Sequence, residues 1–544
     1  MRIALVLVTL SATLAAQTPA ASSSIAIIPL PTTIAPGAGE FVLTASTTIV
    51  TDPAVTAQGR QLADLLNAPT GFDLAVRGGG SPAAGFLALR IDKSLGTALG
   101  EEGYRLDATT KGVTIRAATP HGVFHGMQTL RQLLPADVYR QATVAGVTWR
   151  VPAVVIEDTP RFSWRGAHLD VSRHFMPKEF VKKYIDLLAI HKMNRFHWHL
   201  TDDQGWRLEI KKYPRLTDVG AWRSETLVGH EVRDNSPDAA QRKYDGAKHG
   251  GFYTQDDVRE IVAYAAARFV TVVPEIEMPG HSQEVVAAYP DLGSTNERVQ
   301  PRTRWGISPY LLNPTDLTVQ FMQDVLAETM ALFPGPWIHV GGDEAVKDQW
   351  KANAQIQARI KELGLKDESE LQGWFIRQMD AFLTSHGRRL VGWDEILEGG
   401  LAPNATVMSW RGLGGALASA RAQRDAVLTP TAWTYFDSYQ TRDTANEPLA
   451  IGGFVPLDKV YTWEPMPEDL EPEFQKHILG VQGQLWSEYL QNPRQVEYAA
   501  YPRLSALAEV GWTPTPRRAL EDFLSRLVVH LQRLKILDVN FRPL

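Results

Sequence analysis

Pro336-Trp-Ile-His-Val-Gly-Gly-Asp-Glu344 is a short apolar run that stops at two glycines and passes at once into two carboxylates. Trp337, Ile338 and Val340 read as a buried strand, and Gly341 and Gly342 let the backbone turn or let another group come close. Two acids in that position are costly unless they are paired or used. Asp343 can cap a following helix, because aspartate at a strand-to-helix turn satisfies free N–H groups. It can also stand at the mouth of a catalytic site, and the recurrence of polar strand endings along the chain favours that reading.

Outward from this stretch, β-runs alternate with helical segments, the signature of parallel strands joined by crossovers. The pattern predicts eight strands: Gly166 to Val171, Asn194 to Leu200, Val270 to Ile276, Trp337 to Gly341, Arg389 to Trp393, Thr406 to Trp410, Ala426 to Tyr435 and Ile478 to Leu485. Helices are expected over Lys178 to His191 and Gln255 to Phe269, the second opened by a Thr254/Asp257 capping pair. Eight strand–helix units point to a (β/α)8 barrel, the TIM-barrel class of α/β fold, in which chemistry sits at the C-terminal ends of the strands. A helix-rich tail from Glu497 to Leu534 follows. Before the barrel, residues 24–158 read as a smaller α+β domain with an antiparallel sheet and one covering helix from Val123 to Leu134. The boundary is expected near Thr159-Pro160, leaving 159–544 to the catalytic barrel and its tail.

A chain of 544 residues exceeds what one hydrophobic core usually holds, which agrees with two domains. The formal net charge of -6 gives no basic field and argues against nucleic acid as the partner. Fifteen tryptophans supply flat amphipathic faces suited to stacking on rings. Residues 1–16 carry Arg2, an apolar run and small residues at Ala12, Ala15 and Ala16, a secretory leader too short to anchor in a bilayer. No cysteine is present, so disulfides and thiolate metal sites are excluded, and an exported chain of this kind suits a bacterial envelope. The expectation is a periplasmic or secreted protein without stable membrane insertion.

The proposed strand ends carry Arg165 and Asp170, then His199, Asp202 and Asp203, then Glu275, Glu277 and His281, then Asp343 and Glu344. Trp393 and Asp394, Trp410 and Arg411, Trp433, Tyr435 and Asp437, and Trp486 and Glu488 follow. His197 and His199 face one side of their strand, and two imidazoles at that spacing can bind a metal. A hydrogen-bonded core role is the commoner one.

With these residues in view, the chain resembles glycoside hydrolase family 20, the β-N-acetylhexosaminidases. The resemblance rests on Arg165-Gly-Ala-His-Leu-Asp-Val-Ser-Arg-His-Phe175, His197-Trp-His-Leu-Thr-Asp-Asp-Gln-Gly-Trp-Arg207, Pro274-Glu-Ile-Glu-Met-Pro-Gly-His281 and His339-Val-Gly-Gly-Asp-Glu344. The preceding region is similar to the family's non-catalytic domain, including Glu102-Gly-Tyr-Arg-Leu106 and Gln128-Thr-Leu-Arg-Gln-Leu133. Family 20 is a known substrate-assisted exception to the two-carboxylate pattern of retaining glycosidases, so that route comes with the resemblance and is no deduction from spacing.

The resemblance implies Glu344 as general acid and then base, and Asp343 as the group that orients the substrate acetamide and offsets charge on an oxazolinium intermediate. A carboxylate beside another carboxylate is expected to raise the proton affinity of Glu344. Tyr435 would bond the acetamide carbonyl. Trp393, Trp410 and Trp486 would enclose the N-acetyl group and the sugar ring. Arg165, Asp437 and Glu488 would take the outer hydroxyls, Asp202 and His281 would support Glu344, and Trp463 would line the leaving-group side. The implied substrate is an oligosaccharide or glycoconjugate ending in β-linked N-acetylhexosamine, with no cofactor and no metal. Two alternatives remain at this point: a metal-dependent hydrolase using His197, His199, His281 and Asp343, and an amino-sugar-binding protein without catalysis.

Overall fold

The computed structural model describes residues 25–295 and 297–544, so the leader expected at 1–16 lies outside the described residues. Among the described residues no helix is long and apolar enough to cross a membrane.

The first domain is one seven-stranded sheet covered by the helices Thr56–Thr70 and Pro120–Leu133. Its antiparallel half joins Thr33–Val42, Arg150–Asp158, Tyr104–Thr109 and Gly112–Ala117. The other half, Gly112–Ala117 with Phe86–Ile91, Thr48–Thr51 and Val76–Gly78, is parallel. The sheet is therefore mixed where the sequence suggested antiparallel. The helix Thr56–Thr70 is the reason: it carries the chain back across the sheet between Thr48–Thr51 and Val76–Gly78, and a crossover of that kind makes its two strands parallel. Pro120–Leu133 starts where Thr119 accepts hydrogen bonds from the N–H groups of His121 and Gly122, with Pro120 pre-set for the first turn.

Eight strands of the second domain close into a parallel barrel. In chain order they are Trp164–Asp170, Arg195–His199, Thr271–Glu275, Trp337–His339, Arg389–Trp393, Thr406–Ser409, Ala426–Leu428 and Ile478–Gly483. Alternation sorts the side chains. Ala167, Leu169, Phe196 and Trp198 face the surrounding helices and join the main apolar core. Trp164, Val273, Val391, Met408 and Val427 fill the interior with Trp393 and Trp486. Thr254 and Asp257 form the expected reciprocal cap of Gln255–Ala266. The seventh strand is shorter than the sequence suggested. It ends at Leu428, and a single helical turn, Thr431–Thr434, begins after Pro430 before Tyr435 rejoins the barrel through a bridge to Gln484.

The two domains are locked at the N-terminal end of the barrel. Buried Lys192 donates to Asp158 at 2.8 Å and to the Tyr104 hydroxyl at 2.9 Å, while Trp512 Nε1 donates to the other Asp158 oxygen at 2.7 Å. Asn194 donates to Glu102 at 3.0 Å. The tail helix Leu520–Ile536 fastens the start of the described chain: Arg533 donates to the carbonyls of Ala26 and Gln132, and Arg526 to that of Ile27. Glu509, on Arg503–Trp512, takes both the Arg526 guanidinium and the N–H of Leu30. The tail expected from Glu497 onward thus supplies a helix against the first and last barrel strands and a clasp on the smaller domain.

Candidate active site

The strand Trp337–His339 leaves the barrel into Gly341 and Gly342, whose φ values are 64° and 96°. Only glycine adopts these readily. Gly341 is also obligatory for space, since a Cβ there would lie 1.7 Å from Glu277 Oε2, and one on Gly342 would lie 2.8 Å from Ile396. The turn brings Asp343 and Glu344 to the rim, with Glu344 at φ 47°, a strained conformation for a non-glycine residue. Asp343 caps no helix, because the next one, Asp348–Ala352, begins after Lys347.

One imidazole joins the two acids. His281 Nε2 lies 3.4 Å from Glu344 Oε2 and 3.7 Å from Asp343 Oδ2, and its Nδ1 is 3.1 Å from Asp202 Oδ1. His281 is itself held at φ 48°. Burial disfavours charge on this ring, yet Asp202 and Asp343 raise its pKa well above the ordinary value, so it is an imidazolium. The carboxyl whose proton affinity rises is Asp343: burial, with Glu344 and Glu275 adding to it against His281, pushes it up to about 7.

A cavity of about 530 Å³ opens in front of the pair. Trp393, Trp410, Tyr435 and Trp486 line it. Trp410 stacks on Tyr435 with centroids 6.2 Å apart, and Trp486 lies 5.8 Å from Trp393. Trp410 is fixed by its Nε1 donating to Glu395 at 2.9 Å. Asp437 and Glu488 line another part of the cavity with Arg173. Among the described residues, both Asp437 oxygens and Glu488 Oε2 are buried with no protein partner. Burial and then Glu488 raise the pKa of Asp437, and burial raises that of Glu488 against Arg173. Unpaired buried acceptors beside a guanidinium are what a ligand rich in hydroxyls would satisfy.

Two residues proposed from the sequence stand elsewhere. Arg165 is the second residue of its strand, so it lies at the opposite end from the cavity, and alternation turns it away from the barrel interior. It is 1 % exposed, forms an ion pair with Glu102 and donates to the carbonyls of Phe162 and Lys192. Arg173, three residues beyond the same strand, is the arginine of the cavity. It contacts Asp202 at 2.8 Å and lies 5.0 Å over the Trp486 ring. Trp463 caps the helix Leu457–Thr462 and stacks on Trp433 at 5.6 Å, outside the cavity lining, where the loop through Ile451 and Phe454 forms the wall instead. Asp202 reaches the site through His281 and does not line the cavity.

The four groups considered as a metal set do not converge. His197 lies inside the barrel, its Nε2 3.0 Å from Glu275 Oε2. Trp164 Nε1 donates to Gln482 Oε1, so the Gln482 amide donates to His197 Nδ1 at 2.9 Å and leaves the His197 proton on Nε2, facing Glu275. His281 and Asp343 are at the mouth, where they group with Glu344 and not with His197 or His199.

Comparison with known sequences decides the family. The pattern of Glycosyl hydrolase family 20, catalytic domain, matches residues 162–515, and that of Glycosyl hydrolase family 20, domain 2, matches residues 24–159. The chain belongs to glycosyl hydrolase family 20. A β-hexosaminidase of Porphyromonas gingivalis is 45% identical over 528 residues, 96% of this chain and 65% of its own length. One from Akkermansia muciniphila is 34% identical, covering 82% of this chain and 86% of its own length. This family 20 chain therefore spans a little under two thirds of the P. gingivalis relative. Among solved structures, the family 20 β-N-acetylhexosaminidase of Streptomyces coelicolor superposes with a TM-score of 0.82 at 34% identity, covering 96% of this chain and 98% of that one. A family 20 exo-β-N-acetylglucosaminidase of Vibrio harveyi bound to N-acetylglucosamine gives 0.80 at 32% identity, over 95% of this chain and 78% of that one.

Proposed function

We propose that the chain is an exo-acting β-N-acetylhexosaminidase that removes a terminal N-acetylhexosamine with retention of configuration, the acetamido oxygen of the substrate acting as nucleophile. The observation that carries this reading is the pair itself: Asp343 and Glu344 leave one strand end as neighbours, share His281, and face an aromatic cavity. Carboxyls serving as protein nucleophile and acid must flank the sugar from opposite faces, roughly 5 Å apart. Adjacent residues at one strand end do not straddle a ring, an arrangement that suits the substrate-assisted route known for family 20.

In this mechanism Arg173, Asp437 and Glu488 hold the outer hydroxyls of the terminal sugar, and Trp486 and Trp393 pack against it. Ionised Asp343 accepts the acetamide N–H while the Tyr435 hydroxyl donates to its carbonyl oxygen, which places that oxygen at the anomeric carbon. Glu344 gives its proton to the leaving oxygen as the oxazolinium closes, then takes one from the water that reopens it. Loss of a proton from Asp343 on binding is favourable because the acetamide N–H and the oxazolinium charge replace the water it lacks.

Hydrolysis of an aryl N-acetyl-β-glucosaminide is compared with that of the matching β-glucoside. The acetamido sugar is expected to react faster by on the order of 10³ or more. Glu344→Gln is expected to lower kcat on poor leaving groups by about 10²–10⁴. Equal rates on the two sugars would remove the substrate nucleophile, and undiminished turnover in the variant would remove the acid. We also propose export through the leader at 1–16; a mature chain from the producing cell that still began at Met1 would contradict it.

A further inference from the structure

Beneath the cavity a line of buried groups continues where His281 meets Asp202. Asp202 uses each oxygen twice: Oδ1 receives His281 Nδ1 at 3.1 Å and the Asp203 N–H at 2.7 Å, and Oδ2 receives His199 Nε2 at 3.0 Å and Arg173 Nη2 at 2.8 Å. The other nitrogen of His199 is bonded to Glu275 Oε2. Both imidazole nitrogens of His199 thus face carboxylate oxygens, an arrangement that requires two N–H groups and so a cation. His197 Nε2 lies 3.0 Å from the same Glu275 oxygen, and His339 Nδ1, which accepts the Gly341 N–H, lies 2.8 Å from the other. All of these side chains are buried.

We infer that His199 and Glu275 are positioning residues for the acid/base: through Asp202 and His281 they govern the pH at which Glu344 gives up its proton. The line Glu275–His199–Asp202–His281–Glu344 alternates carboxylate and imidazole, so each member fixes the charge of the next. If Asp202 lacked the His199 proton, it would hold the His281 proton more tightly and present more negative charge to the cavity. The charges surrounding each group agree with the geometry. Burial opposes charge on His199, but Glu275 and Asp202 lift it to about 10. Burial likewise opposes ionisation of Asp202, yet Arg173, His281 and His199 hold it well below the usual carboxylate range. The other groups near His199 are His168 and Asp170 of the first strand, Arg173 beyond it and His197 on its own strand, with the Trp486 ring 4.9 Å away.

This inference rests on Glu344 acting as the acid/base. The experiment is the pH profile of kcat/KM on an aryl N-acetyl-β-glucosaminide for wild type, His199→Asn, Glu275→Gln and Glu344→Gln, with circular dichroism as the check of folding. His199→Asn removes the positive charge that Glu275 and Asp202 share, so the basic limb is expected to move up by about half to one pH unit. Glu275→Gln removes a negative charge while Asp202 still holds His199, so the limb is expected to move down by a similar amount. A residue of merely structural value would lower the rate uniformly and leave the limbs in place. Folded variants with wild-type limbs, or limbs moving in the same direction, would overturn the inference. If His199→Asn does not fold, Glu275→Gln decides by the presence or absence of its downward shift. Wild-type turnover in Glu344→Gln would overturn the acid/base reading and this inference with it. An inactive Glu344→Gln beside unshifted His199→Asn and Glu275→Gln would overturn this inference alone.

Discussion

Replacing Asp343 by asparagine should separate the stability of the fold from the needs of the site. The carboxyl is buried, and its pKa rises from 3.8 to about 7 on folding. Folding therefore raises its affinity for protons. The stability this confers is fully present below pH 4, falls as pH rises toward 7, and is gone at pH 8. Between pH 5 and pH 8 the linkage integral for a shift of that size amounts to roughly 2–3 kcal/mol. Asparagine does not titrate, so Asp343→Asn should lack this slope. Urea unfolding of both proteins at pH 5 and pH 8, analysed with a common m value, gives the comparison. The variant should gain on wild type by roughly 2–3 kcal/mol more at pH 8 than at pH 5, while its kcat on acetamido substrates falls at both. A difference in stability that is the same at the two pH values would refute the assignment of a raised proton affinity to Asp343.

Two further substitutions follow from the geometry. Arg173→Met should lower kcat/KM by about 10²-fold or more, because it leaves the substrate hydroxyls, Asp437 and Glu488 without their guanidinium; Arg165→Met should leave KM near wild type but cost about 3–5 kcal/mol in unfolding experiments, by stranding Glu102 at the domain boundary. The reverse pattern would return Arg165 to the substrate. Gly341→Ala should reduce both stability and turnover severely, since its Cβ overlaps Glu277 and its φ is left-handed; a thermal midpoint within 1 °C of wild type would contradict the close approach.

The barrel was legible because most of its strands end in a glycine or a polar residue and helices between them, such as Lys178–Ile190 and Gln255–Ala266, carry an apolar stripe. Asp343, Glu344, Trp393, Trp410 and Trp486 line the cavity because they end or closely follow barrel strands, and Tyr435 reaches it after the turn Thr431–Thr434. Arg165 was misplaced because strand parity and strand end were not both applied. Counting back from Asp170 by twos puts Gly166 and His168 inside the barrel and Arg165 outside, roughly 16 Å from the rim. Trp463 was chosen for its residue type, but the cavity wall on that side is the loop bearing Ile451, which no periodicity marks. The parallel half of the first sheet was missed because Thr48–Thr51 and Val76–Gly78 are too short to show a pattern. Glu102, Tyr104 and Gln132 carried a family signal whose meaning appears only in three dimensions, as the domain lock.

That lock has a consequence for biosynthesis. Ala26 and Ile27 are fastened by Arg533 and Arg526, some five hundred positions downstream. A nascent chain emerging from the ribosome cannot seat its leading edge until its trailing helix has been made. The smaller domain therefore completes these contacts only after the whole barrel between them has been synthesised, and contacts so distant in sequence form late.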